Sequence, residues 1–361
     1  MKNICMIVQQ RDVHGGIAAV TNGYYGSSLE KKFNILYIES YCDGSKTAKL
    51  KKALKAYVSF HKLLRKKNID AVHIHTSFGP SFYREIPFIL MSCNRKIPVI
   101  NHIHGSAFDV FYENASDFKK KLVRKWYGKC SRMIVLTEHW KKVLSRTFPI
   151  DRIEVVSNYS KPQASMLDEK VMKKRFEAKK ILFLGVITKG KGMEEAPFII
   201  QKVVEKVPKD KFIFGGVGDT SLVTNSLSEE IVQHNVVFPG WVTDDKKDSL
   251  LKDSMLFFLP SHMEAMPMSI LDAFGYALPC VATNIGGIPQ LVEDKANGTL
   301  CELKNTDQFA RAIISYLTDY EFFKQTSENC IKIVNEKFSF DIHVEKLEKI
   351  YVKVISDYNN C

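Results

Sequence analysis

Short β-rich apolar runs alternate with helix-length segments along all 361 residues, and this alternation restricts the fold more than any other feature. In the first half the runs are NICMIVQ, FNILYIES, DAVHIH, PVINHIH, RMIVLT and IEVVSN. In the second half they are ILFLG, KFIFGG, NVVFPGW, MLFFLP, PCVAT and GTLCEL. Nearly continuous apolar strands are those covered on both faces, and the helix-length separators supply crossovers between parallel neighbours. The pattern predicts an α/β fold made of two successive doubly wound units. The length is also too great for one ordinary core. The break is expected in NYSKPQASMLDEK, residues 158–170, where Pro, Ser and polar residues replace the strand pattern. The expected division is therefore a domain of 1–160, a second of 161–337, and a helical segment, 338–361, packing back toward the first. Ligands of open parallel sheets bind beyond the carboxyl ends of the strands, so the cleft between two such units is the expected site.

Composition narrows the class. Hydrophobic content of 45% and charge of 25% are those of a soluble globular chain. MKNICMIVQQ has too short an apolar stretch for a signal peptide and reads as a first buried strand. IPFILMSC is far shorter than a membrane span, so no transmembrane helix is expected. The eight cysteines show no C-x-x-C and no zinc-like spacing, which predicts reduced thiols in the cytoplasm, with Cys5 and Cys280 acting as small hydrophobes.

The net charge of +12 is unevenly placed. Residues 1–160 hold 27 Lys and Arg against 12 Asp and Glu, whereas residues 161–361 hold 25 against 28. The segment KTAKLKKALKAYVSFHKLLRKK, residues 46–67, carries nine basic and no acidic residues, and DFKKKLVRKWYGKCSR, residues 117–132, is a second basic cluster. In the first, Leu50, Leu54, Tyr57, Val58 and Leu64 recur at roughly helical spacing and are expected to form the packed face. The two readings are a solvated helix face and attraction to an anionic membrane surface, with Trp126 and Tyr127 as loop aromatics suited to an interface. No nucleic-acid-binding motif accompanies the charge, and no nucleic-acid partner is expected.

ILFLGVITKGKG, residues 181–192, is a strand that breaks into a glycine- and lysine-rich loop before a helical stretch, a ready anion site. Gly185-x4-Gly190-Lys191 begins a P-loop, but Gly192 stands where that motif needs a Ser or Thr for magnesium. The most specific stretch is LPSHMEAMPMSILDAFGYALPCVATNIGGIPQLVEDKANG, residues 259–298. With a loop ending at Glu264 and a helix starting near Pro267, Glu264 and Asp272 can face one ligand, as carboxylates do when they hold sugar or ribose hydroxyls.

This stretch resembles the signature of the retaining glycosyltransferases of family four, the GT-B nucleotide-sugar enzymes. PS, E, MPMSIL, A, G, LP, VAT, GGIP and NG occur in order. The resemblance extends to His14-Gly15-Gly16-Ile17, to NHIHGSAFD, to FLGVITKGKG, and to GGVGD and FPGWVTDD. It implies that Lys191 stabilises the diphosphate of a nucleotide-sugar, that Glu264 holds the donor sugar, and that Met268 and Ser269 offer backbone amides near the phosphates. Asp272 takes the place of a glutamate that grips the ribose, and Val242 lines the base. Gly15 and Gly16 let the first loop approach the phosphates, and His104 contacts the donor sugar near the reacting centre. His102, two residues earlier, is expected on the other side of the strand and is read as structural.

Two positions depart from the family pattern. Val186 replaces an arginine, for which Lys189 is one candidate substitute, and Asp272 is one methylene shorter than glutamate. The resemblance implies a retaining, metal-independent hexosyl transfer with no cofactor and a UDP- or GDP-sugar as substrate. Asp244 and Asp245 are adjacent rather than Asp-x-Asp and are expected at a helix start. The expected acceptor is a glycan or lipid-linked glycan bound by the basic first domain, in bacterial surface polysaccharide assembly at the inner face of the cell membrane. The alternatives are a nucleotide-sugar 2-epimerase of the same fold and a non-catalytic sugar- or polyanion-binding protein.

Overall fold

A computed structural model describes residues 1–359 and divides them into two compact units. The first consists of Met1–Asn158 together with the helix that begins at Phe340, and the second is Tyr159–Ser339.

All six apolar runs of the first half form strands: β1 Asn3–Gln9, β2 Asn34–Tyr41, β3 Ala71–Thr76, β4 Val99–Ile103, β5 Arg132–Val135 and β6 Ile153–Val155. They pair in parallel in the order β2-β1-β3-β4-β5-β6. β3 and β4 are buried at every position, as strands sandwiched between helices are, and this burial includes their polar residues His73, His75, Thr76, Asn101 and His102. Cys5, Ile7, Phe60, Val72, Ile74 and Phe88 belong to the core on one side of this sheet.

The second unit contributes β7 Lys180–Leu184, β8 Lys211–Gly215, β9 Val236–Gly240, β10 Leu256–Leu259, β11 Cys280–Thr283 and β12 Gly298–Cys301. Their order is β12-β11-β10-β7-β8-β9, again all parallel. The chain reverses its direction of winding between β7 and β10, so the loops leaving these two strands border the switch point where such sheets bind ligands. Two doubly wound α/β units are the fold that the alternating pattern predicts.

The basic segment forms the Lys46–Lys66 helix, capped by Ser45, and the face it turns inward coincides with the expected one only in part. Ala53, Ala56, Phe60 and Leu64 are buried, while Leu50, Leu54 and Val58 are 61%, 52% and 55% exposed. The small alanines allow the helix to lie close to β2. Of the five residues that periodicity assigned to the core, Leu64 is buried and Tyr57 packs against the core as expected, whereas Leu50, Leu54 and Val58 point to solvent. Trp126 and Tyr127 are likewise not in a loop. They end the Asp117–Tyr127 helix, where Tyr127 is buried and Trp126 packs against the core. The exposed aromatic of this cluster is Phe118, at 76%.

Seven cysteines are free among the described residues, and Cys361 lies outside them. Burial raises the thiol pKa values of Cys5, Cys130, Cys280 and Cys330, so these sulfurs act as core hydrophobes.

Candidate active site

β7 is followed by Gly185 and by the short turn Lys189–Lys191, which closes at Gly192 in the left-handed region, φ 74°. Backbone bonds tie this loop to its neighbours. The Ile187 amide donates to the Val217 carbonyl at 2.8 Å, and the His262 amide donates to the Gly190 carbonyl at 2.9 Å. The loops after β7, β8 and β10 are thereby held as one rim. A Cβ at Gly192 would lie 2.1 Å from the Pro260 carbonyl oxygen, so the rim closes only with glycine at this position.

That closure places Lys191 against Glu264, with Nζ donating to Oε1 at 2.5 Å. The Glu264 side chain is 10% exposed and that of Lys191 33%. The Glu264 carbonyl accepts from the Gly287 amide at 3.2 Å, and a Cβ at Gly286, φ 53°, would fall 2.1 Å from the same oxygen. The paired glycines of NIGGIP thus let the loop after β11 grip the backbone of Glu264. An ammonium has three N–H donors, so Lys191 can hold Glu264 and a phosphate oxygen together. Gly192→Ala is expected to cost about 1–2 kcal/mol for the left-handed backbone, and more for the collision with Pro260. Thermal melts should therefore fall by several degrees, and activity should drop with them.

Pro267 is the N-cap of the Met268–Gly275 helix, and no side chain caps it. The first turn, with Met268 and Ser269, keeps its amide donors and the positive end of the helix dipole for an anion. Asp272 lies one turn further on, and its Oδ2 accepts from Lys247 Nζ at 2.9 Å. Val242 is buried beyond β9, close to Gly215, whose Cβ would come within 3.0 Å of its Cγ2. Val186 is 42% exposed. Lys189 is held by Glu194 at 2.7 Å, which also raises its pKa.

In the first unit, Gly15 precedes the short Gly16–Asn22 helix after β1. A Cβ at Gly15 would meet nothing within 4 Å, so packing does not require glycine there. His104 follows β4, with its amide bonded to the Thr76 carbonyl at 2.9 Å. His102 lies on the same side as His104, not the opposite one, because strand residues two apart share a face. The two rings stack at 4.3 Å between centroids.

His73 and His75 of β3 join them. His75 Nδ1 and His104 Nε2 are 2.9 Å apart, His73 Nε2 and His102 Nδ1 3.3 Å, and His73 Nδ1 and the Tyr351 hydroxyl 2.6 Å. His343 bonds the Tyr24 hydroxyl at 2.8 Å and the Ser157 carbonyl at 2.7 Å. Burial pushes the pKa of His73 and of His104 down to about 3 and that of His343 to about 4, and it lowers His75 and His102 as well. Sequence reasoning singled out His104 alone. The alternation of DAVHIH and NHIHG carried the signal for the others, since period two puts all four rings on one face. Lys247 left no such signal, because only the tertiary fold brings it to Asp272.

Two doubly wound units, the second with lysine, glutamate and a helix start at the loops bordering its switch point, have the architecture of the GT-B fold. Residues 167–333 match the family profile of glycosyl transferases group 1, and residues 19–159 match that of Glycosyltransferase Family 4; the chain belongs to these glycosyltransferases. The UDP-Gal:alpha-D-GlcNAc-diphosphoundecaprenol alpha-1,3-galactosyltransferase of Escherichia coli is 27% identical over 348 residues, covering 91% of this chain and 86% of that protein. Sucrose-phosphate synthase from Thermosynechococcus elongatus shares the fold with a TM-score of 0.74 at 14% identity, covering 99% of this chain and 100% of the other. Anabaena HepE, in complex with UDP, gives 0.70 at 15% identity, covering 98% and 100%.

Proposed function

We propose that the protein is a retaining glycosyltransferase that moves a hexosyl group from a UDP- or GDP-sugar to a glycan or lipid-linked glycan in bacterial surface polysaccharide synthesis. The observation that carries this reading is the Lys191–Glu264 pair at the switch point of the second unit. Lys191 faces the diphosphate, whose negative charge grows as the bond to the anomeric carbon breaks. Glu264 accepts hydrogen bonds from hydroxyls of the departing sugar, and the Met268 and Ser269 amides bind phosphate oxygens. The acceptor hydroxyl attacks the anomeric carbon from the face that the diphosphate leaves, and a diphosphate oxygen takes its proton. Val242 lines the base, Asp272 holds the ribose, and Gly15, Gly16 and His104 serve the donor from the first unit. With Lys189 bonded to Glu194, Lys191 and the loop amides carry the phosphate charge.

Incubation of the protein with each nucleotide-sugar, alone and with acceptor, tests the reading. Nucleoside diphosphate should be released rapidly only when acceptor is present. Conversion of the donor without acceptor would mark an epimerase, and binding without turnover over a broad acceptor panel would mark a sugar-binding protein.

The lipid-linked acceptor is supported by what the Escherichia coli relative is named for, a diphosphoundecaprenol substrate. The basic surface supports a peripheral position at an anionic membrane on the cytoplasmic side. Among the described residues no helix is long and apolar enough to cross a membrane. The exposed Leu50, Leu54 and Val58 recur every fourth residue amid Lys51, Lys55 and Lys62, so this helix face can combine apolar burial with attraction to acidic headgroups. Flotation with phosphatidylglycerol vesicles should recover the protein, and serine at all three positions should lower recovery about tenfold or more. Equal recovery on neutral vesicles would show that the lysines contribute only solubility.

A further inference from the structure

We infer that His75 fixes the tautomer of His104, so that His104 presents a protonated Nδ1 outward as a hydrogen-bond donor and keeps no free lone pair with which to take a proton. Its catalytic consequence rests on the glycosyl-transfer reading; the tautomer itself rests on the histidine cluster alone.

The four imidazoles of β3 and β4 are held neutral by burial, so each carries one N–H. Two ring atoms of the cluster are buried without a partner, His75 Nε2 and His102 Nε2. Placing every proton on Nδ1 makes both of these atoms lone pairs. His75 Nδ1–H then donates to His104 Nε2, His102 Nδ1–H donates to His73 Nε2, and His73 Nδ1–H donates to the Tyr351 oxygen. Reversing either imidazole–imidazole bond would leave a buried N–H with no acceptor among the described residues. Orphaned donors of that kind are rarer in folded proteins than under-used acceptors, and an unsatisfied buried group costs about 1–3 kcal/mol.

With Nε2 of His104 accepting from His75, the proton of His104 sits on Nδ1. Nδ1 makes no hydrogen bond among the described residues, and His104 is only half-buried, so this N–H is open to a ligand. The His102 ring stacked on it and the Thr76 carbonyl bonded to its amide hold the ring plane and the backbone. A donor fixed in this way binds a sugar hydroxyl or a phosphate oxygen and cannot serve as general base, which leaves proton acceptance to the departing diphosphate. His75 is then a positioning residue. The same cluster brings nitrogens of His73, His75 and His102 within 4.8 Å of one another, close enough to consider a cation, but both nitrogens of His73 are already engaged by Tyr351 and His102.

The experiment is long-range proton–nitrogen NMR on the full chain with nitrogen-labelled histidine at pH 7.5. His104 should show a protonated Nδ1 and an unprotonated Nε2, and His75→Leu should convert its signals to a tautomer mixture. In transfer assays His75→Leu should lower kcat about tenfold with little change in KM, the scale of one misdirected hydrogen bond. His75→Asn, whose amide nitrogen falls near the Nδ1 position, should restore most of the loss. An Nε2-protonated or imidazolium His104 would overturn the inference. So would a His75→Leu spectrum identical to wild type, or stoichiometric zinc shifting these signals. His104→Ala with full activity would instead remove His104 from the proposed reaction and leave the tautomer standing.

Discussion

Lys191→Ala is expected to lower sugar transfer about a hundredfold or more while the protein stays folded. A preorganised charge aimed at the oxygens that become anionic in the transition state contributes on the order of 3 kcal/mol, and each 1.4 kcal/mol is about tenfold in rate. The loss should fall at the high end, because Val186 offers no cation and Lys189 is bonded to Glu194. Lys191→Arg keeps the charge but not the compact ammonium that fits between Glu264 and a phosphate, so it should recover only part of the rate. Circular dichroism and kinetics on the three proteins decide the matter. Activity of the Ala variant within threefold of wild type would show that Lys191 does not face the leaving group.

Acid should unfold the first unit well before ordinary carboxylate titration would. His73, His75, His102, His104 and His343 all have lowered pKa values in the folded unit, against about 6.5 in an unfolded chain. Above pH 6.5 neither state binds these protons, and the neutral cluster contributes its full stability. As pH falls below 6.5 the unfolded chain takes up protons that the folded unit refuses, so stability falls until about pH 3–4. Glu85 acts in the opposite sense. Burial raises its carboxyl pKa to about 8, so it costs stability as pH rises from the ordinary carboxylate range toward 8 and relieves part of the loss below. Each unmatched proton is worth about 1.4 kcal/mol per pH unit, and a domain has only about 5–15 kcal/mol in all, so a few histidines suffice. Urea midpoints at pH 7.5 and pH 5.5 should differ clearly, with the first unit unfolding earlier at the lower pH. Equal midpoints would mean that the histidines are solvated.

What the sequence disclosed was governed by local pattern. All the strand-like runs became strands because an apolar run bounded by turn residues has few other fates in a chain of this length. The loops that carry Lys191 and Glu264 were legible in the sequence, and the contacts of Gly192 and Gly286 explain why glycine stands at those two positions. The direct pairing of the Lys191 and Glu264 side chains was not legible. Where side chains compete for one face, pattern misled. Leu50, Leu54 and Val58 are more apolar than Ala53 and Ala56, yet the close approach of helix and sheet selected the small residues. His102 was misplaced by an error of period, and that error concealed the cluster behind His104. Lys247 meets Asp272 across 25 residues of chain, through two helices whose mutual placement no local signal encodes.

Proton NMR of the products formed from a nucleotide-sugar and a lipid-linked glycan acceptor tests the central claim most directly. The account predicts one new glycosidic bond with the anomeric configuration of the donor, formed by wild type and nearly abolished in Lys191→Ala. A product of inverted configuration, or consumption of the donor with no new glycosidic bond, would contradict it.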